Sequence, residues 1–158
     1  MKELYSADGK SNKYLVMATI HGAVRRWGDS MLTDDQIDDH FKFRDMEVIK
    51  CEYCKKRLIH RVFHKPDDNL HKAAPSIDHK IPQAMNGSGE LENFAVCCHE
   101  CNVIKGSLTA KTFKRLLKAV DEYDERHGTD MREAFLDEWW FGRLAETIQM
   151  RQVTEGPK

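Results

Sequence analysis

The residues best suited to chemistry in this 158-residue chain lie in its middle. Cys51 and Cys54 form one C-x2-C pair, and Cys98 and Cys101 form a second. Each pair offers two thiolates from one tight turn, and two such turns complete the tetrahedron that Zn²⁺ prefers. Four thiolates leave no coordination position for water, so a site of this kind braces a fold rather than catalyses a reaction. The 43 residues between Cys54 and Cys98 exceed the roughly 15–20 of a simple zinc ribbon. A folded element must therefore sit between the two knuckles. The fifth cysteine, Cys97, lacks the x2 spacing to Cys101 and reads as a small core residue.

Between and beside the knuckles runs a second set of polar residues. Ser76-Ile77-Asp78-His79-Lys80-Ile81-Pro82 is followed by Leu91-Glu92-Asn93-Phe94 and then by Cys98-His99-Glu100-Cys101-Asn102-Val103-Ile104-Lys105-Gly106. Hydrolysis of a phosphodiester needs a group that takes a proton from water, and His serves near neutral pH. It also needs a hard divalent cation on a phosphate oxygen, and the oxygen ligands of Asp and Asn suit Mg²⁺ or Mn²⁺. Asp78 and His79 are adjacent on a predicted strand, which aims their side chains at opposite faces unless a bulge re-aims one. Asn102 and Lys105, three apart, share one face of a predicted short helix.

Asp78-His79, Asn93 and Cys101-Asn102-x-x-Lys105-Gly106 together resemble the HNH nuclease motif, the ββα-metal fold, in its zinc-braced four-cysteine form. The resemblance covers about residues 48–108. The first motif His matches His79, and the central Asn matches Asn93. Asn102 stands where the final His is usual, which is similar to the H-N-N variant. The resemblance implies that His79 is the general base and that Asp78 and Asn102 hold one catalytic divalent metal, Mg²⁺ or Mn²⁺. It implies that Asn93 orients the loop carrying His79 through hydrogen bonds to backbone. An amide oxygen at position 102 favours harder ions than imidazole does. Lys80 and Lys105 are the candidate nucleic-acid contacts. The products implied carry a 5′-phosphate and a 3′-hydroxyl, and double-strand cleavage would need a homodimer or sequential nicks.

The elements that position these residues can also be read. From Ser11 to Trp27, apolar Tyr14, Leu15, Ala18, Val24 and Trp27 recur near helical spacing, with Gly28 as a stop. Thr33-Asp34-Asp35-Gln36 predicts a capping box opening a short acidic helix. Phe113, Leu116, Leu117 and Val120, with Tyr123 a turn later, mark a helix from Thr109 that Gly128 ends. Thr129 or Asp130 then caps a last helix to about Gln149. The expected fold is α+β: a single domain of residues 1–158 with an N-terminal helical segment 1–47, a zinc-braced core 48–108, C-terminal helices 109–152 and a tail 153–158.

Composition fits that plan. Hydrophobic residues make up 41% and the net charge is −1, which excludes wholesale disorder. The small total hides an asymmetry. Residues 51–118 carry 12 basic and 7 acidic side chains, while residues 119–158 carry 5 and 10. The basic block coincides with the cysteines, so DNA, with RNA not excluded, is expected along the middle. Apolar runs reach only about five residues against the roughly 20 of a membrane span, and the first residues lack a signal-peptide core. The expectation is a cytoplasmic protein without membrane contact. A non-catalytic zinc-ribbon nucleic-acid-binding module explains the cysteines and the charge, but not the Asp78-His79, Asn93 and Asn102 set. His60, His64 and His71 read as a solvated loop, Arg25 and Arg26 as a polar helix face or a DNA contact, and Trp139, Trp140 and Phe141 as helix core or a dimer contact.

Overall fold

Each helix begins and ends where local chemistry directs. The computed structural model describes residues 3–65 and 72–131. Helix α1 spans Asn12–Trp27. The Ser11 side chain accepts from the Tyr14 N–H at 3.2 Å, and the Gly28 N–H closes the last turn on Val24 O at 2.8 Å. Both signals match the sequence. Helix α2, Asp34–Phe41, opens with the expected reciprocal pair of bonds between Thr33 and Gln36. A 3-10 turn, Phe43–Asp45, follows a left-handed Lys42.

The α1 face is a correction. Tyr14 and Trp27 are 55% and 54% exposed, and Ala18 is also on the surface. Of the residues marked in the sequence only Val24 is buried; the rest of the buried stripe is Asn12, Val16 and Ile20, with His21 beside it. The large apolar residues at each end of the helix suggested the wrong stripe, because two buried positions are polar. Asn12 is there to bond: its Nδ2 donates to Leu58 O at 2.9 Å, and its Oδ1 accepts from His60 N–H at 2.8 Å. His21 Nε2 lies 2.7 Å from Asp38 Oδ1, which ties α1 to α2.

Strands β1, Pro75–His79, and β2, Phe94–Cys98, form an antiparallel hairpin with Asp78 opposite Ala95 and His79 opposite Phe94. Every β2 residue is buried, because α1 packs against the hairpin while helix α3, His99–Lys105, folds back from β2. Helix α4, Ala110–His127, starts on Thr109 and stops at left-handed Gly128, as its sequence signals predict. It buries Phe113 and Leu117, whereas Tyr123 is half exposed. The hairpin, the knuckles and the flanking helices share one core cluster, from Val16, Ile20 and Ile37 through Leu58 and Phe94 to Phe113 and Leu117. The architecture is thus α+β, with a two-stranded hairpin and helix between flanking helices. The last predicted helix, the Trp139, Trp140 and Phe141 cluster, and His71 lie outside the described residues.

Candidate active site and thiolate cluster

The two knuckles meet. Cys51, Cys54, Cys98 and Cys101 are all buried, and their sulfur atoms lie within 4.8 Å of one another. None is in a disulfide. The Cys51 sulfur accepts from the N–H groups of Tyr53 and Cys54 at 3.4 and 3.5 Å, and Cys98 Sγ accepts from Cys101 N–H at 3.4 Å. A left-handed Lys55 turns the chain out of the first knuckle. The Cys54 to Cys98 sulfur separation is 3.8 Å, matching the edge of about 3.8 Å of a tetrahedron with Zn–S bonds near 2.3 Å. Four adjoining thiols cannot ionise independently. Bonding to Cys51, Cys54 and Cys98, followed by burial, pushes Cys101 far above the usual thiol range, and bonding to Cys101, Cys54 and Cys98 holds Cys51 far below it. A dication resolves that conflict, because all four bind as thiolates. The cluster therefore fits structural zinc. Cys97 is fully buried, as expected of a core residue.

The polar set gathers around the hairpin. The ladder runs in register through residues 75–79 with no bulge between Asp78 and His79, so the two side chains diverge. His79 sits edge-on to the Phe94 ring, with centroids 4.8 Å apart. Its Nε2 lies 3.3 Å from the Gln83 amide nitrogen, an arrangement that needs an unprotonated Nε2. Burial, outweighing the pull of Asp78, holds His79 below the usual imidazole range. Asp78 is buried and faces other partners. Its Oδ1 accepts from Lys105 Nζ at 3.0 Å, and its Oδ2 accepts from the Tyr53 hydroxyl at 2.5 Å and lies 3.0 Å from Lys105 Nζ. Burial pushes the Asp78 carboxyl up, against the opposing pull of Tyr53 and Lys105.

The loop joining the strands is stapled by Asn93. Its Oδ1 accepts from Ile81 N–H at 2.8 Å, and its Nδ2 donates to Ile81 O at 3.1 Å and Ser88 O at 2.7 Å. These backbone bonds are the kind expected of it. A Cβ at Gly87 would lie 1.8 Å from Ile81 O, so only glycine passes there. Asn102, on α3, donates to Ser76 Oγ at 2.9 Å and to Ile77 O at 3.0 Å. Its amide oxygen takes no hydrogen bond among the described residues, and the bond to Ile77 O brings Asn102 to the peptide that precedes Asp78.

The two lysines differ from expectation in different degrees. Lys105 is fully buried, its ammonium held by Asp78 and by His79 O at 3.0 Å, which removes it from the surface where a phosphate would meet it. The neighbouring carboxylate outcompetes solvent for the charge. Lys80 is half-buried and donates to Glu92 O at 3.0 Å. The sequence reading missed Tyr53 and Phe94 altogether. Tyr53 carried a usable signal, a phenol inside the first knuckle, and Phe94 follows the motif Asn directly.

Donor chemistry at Asp78 and Asn102, one carboxylate and one amide oxygen, suits a hard divalent cation. A carboxylate has about four acceptor positions, of which Lys105 and Tyr53 occupy three. No helix among the described residues is long and apolar enough to cross a membrane. No curated protein and no solved structure gives a match. Residues 51–108 match the family model described as HNH endonuclease, a span that holds the whole thiolate cluster, the hairpin and α3. This chain therefore carries an HNH endonuclease domain braced by a buried four-cysteine cluster.

Proposed function

We propose that the chain is a metal-dependent endonuclease that hydrolyses DNA phosphodiester bonds, with His79 as general base. The observation that carries this reading is the hairpin assembly: His79 at the end of β1, edge-on to Phe94 and held by burial below the usual imidazole range, a loop stapled by Asn93, and Asn102 against the same strand. A base held below its usual range is in its proton-accepting form at neutral pH. Phe94 fixes the imidazole plane, and Gln83 bonds Nε2 in the resting state. Asn93 has a positioning role, because all three of its bonds go to loop backbone. Asp78 and Asn102 would hold Mg²⁺ or Mn²⁺, with Lys105 and Tyr53 keeping the carboxylate in place. The bound cation supplies positive charge to a phosphate oxygen and to the leaving oxygen. One such site cuts one strand, so double-strand cleavage needs a second copy or a second encounter. Lys80, beside the base, is the remaining candidate for phosphate contact.

Plasmid nicking by the zinc-loaded chain tests this. Wild type should nick with Mg²⁺ or Mn²⁺ and not with EDTA. His79→Ala should lose roughly 10²–10⁴-fold in rate while keeping its zinc. A folded, zinc-loaded chain that binds DNA but never cuts it would instead be a binding module.

A further inference from the structure

Helix α1 and the 3-10 turn Arg61–Phe63 enclose a groove of about 490 Å³ on the face of β1 away from Lys105. Arg26, Trp27, His60, Arg61 and Pro75 line it, and among the described residues no carboxylate does. Most of it lies outside the matched catalytic elements. We propose that this groove seats the phosphate backbone of duplex DNA beside the cleaved bond. The inference rests on the nuclease reading and adds a binding surface to it.

Three observations converge. The first is charge. Arg25, Arg44 and Arg57 each pair with a carboxylate, at Asp34, Asp35 and Glu3 respectively. Arg26 and Arg61 are exposed, and their guanidinium groups form no ion pair among the described residues. Two guanidiniums without an ion pair among the described residues, both lining one concavity, suit two phosphates, since the guanidinium fork matches phosphate geometry.

The second is Gly22. It lies mid-helix on the groove wall, where glycine is less favourable than alanine. Nothing lies within 4 Å of where its Cβ would be, so packing does not require glycine. What the missing side chain keeps is open volume.

The third is continuity with the active site. Pro75, on the groove wall, begins the strand that ends at His79, a span of roughly 13 Å at strand rise. That is about four base steps along a duplex. The other end of the groove is Trp27, 54% exposed. Next to it, Gly28 abuts Phe94, the ring that backs His79. Trp27 thus offers an apolar face to sugar at the rim nearest the base.

The test uses the full zinc-loaded chain carrying His79→Ala, so that DNA is bound and not cut, with anisotropy of a short labelled duplex as readout. Adding Arg26→Ala and Arg61→Ala together should weaken binding by about tenfold or more and flatten the dependence of log K on log salt by about two. Gly22→Glu should weaken binding while leaving thermal stability equal or higher, which separates groove blocking from misfolding. In the cutting-competent background, the arginine variants should raise KM and leave kcat unchanged. If the parent binds and the wild type cuts, yet all groove variants bind as the parent does, the groove is not the DNA seat and the nuclease reading stands. A parent that does not bind, together with a wild type that does not cut, overturns both.

Discussion

At the scale of single residues, Lys105 and Asp78 show what a motif leaves out. Asp78-His79 and Asn93 could be singled out by their order between the two cysteine knuckles, and Asn102 by its place directly after the second. The partners of Asp78 were not, because they come from 25 and 27 residues away in the chain and only folding brings them together. Lys105→Met should expose the cost of that pairing. It leaves a buried carboxylate without its cation, which destabilises by roughly 3–5 kcal/mol. The loss should depend on pH with a definite sign. Burial already raises the Asp78 carboxyl above its ordinary 3.8, and losing Lys105 raises it further. A carboxyl raised in the fold takes up its proton more readily folded than unfolded, so stability falls as pH rises. The penalty is thus fully present above the raised folded value and vanishes below the ordinary one. Urea unfolding of wild type and variant across that window, with zinc present, should show their difference shrinking on acidification. A pH-independent difference would mean that Lys105 acts by packing alone.

At the scale of elements, helix boundaries were legible, and so was the buried face of α4 at Phe113 and Leu117, but the face of α1 was not. Caps are local: Ser11, Thr33, Thr109, Gly28 and Gly128 each act within four residues. The choice of buried face is made by the neighbours. α1 buries Asn12 and His21 because Leu58, His60 and Asp38 offer them bonds, and it leaves Tyr14 and Trp27 outside. The end of α1 matters most to the site. A Cβ at Gly28 would lie 2.7 Å from the Phe94 ring and 2.6 Å from Gly89 O. Phe94 is fully buried and stands edge-on to His79, so displacing its ring disturbs the imidazole. Gly28→Ala should therefore cost about 1–3 kcal/mol by overpacking and reduce kcat for nicking, with DNA affinity little changed. Unaltered kcat at lowered stability would show that Phe94 does not position the base.

At the scale of the whole molecule, the four-cysteine cluster and the hydrophobic core are one structure. The knuckles join residues 51–54 to residues 98–101 across the chain between them, and Glu52 N–H bonds Val96 O at 2.9 Å, so the first knuckle is fastened to the hairpin as well as to the metal site. Binding of structural zinc is worth roughly 10–16 kcal/mol in small zinc folds, of the same order as the whole stability of a domain. The core cluster runs without a break from Val16 on α1 through the four cysteines to Leu117 on α4. Removing the metal should therefore not release a loop but unfold the described chain together. Calorimetry of the zinc-loaded protein should give one transition. Zinc quantified by a colorimetric chelator should correspond to one ion per chain, and should survive the mild EDTA that stops nicking. Stripping it under denaturing conditions, or substituting Cys98→Ala, should abolish that transition, and the helical signal of α1 should disappear with it. A second transition that persists without zinc would show instead that the N-terminal helices fold independently and that the motif-bearing core is a separate unit.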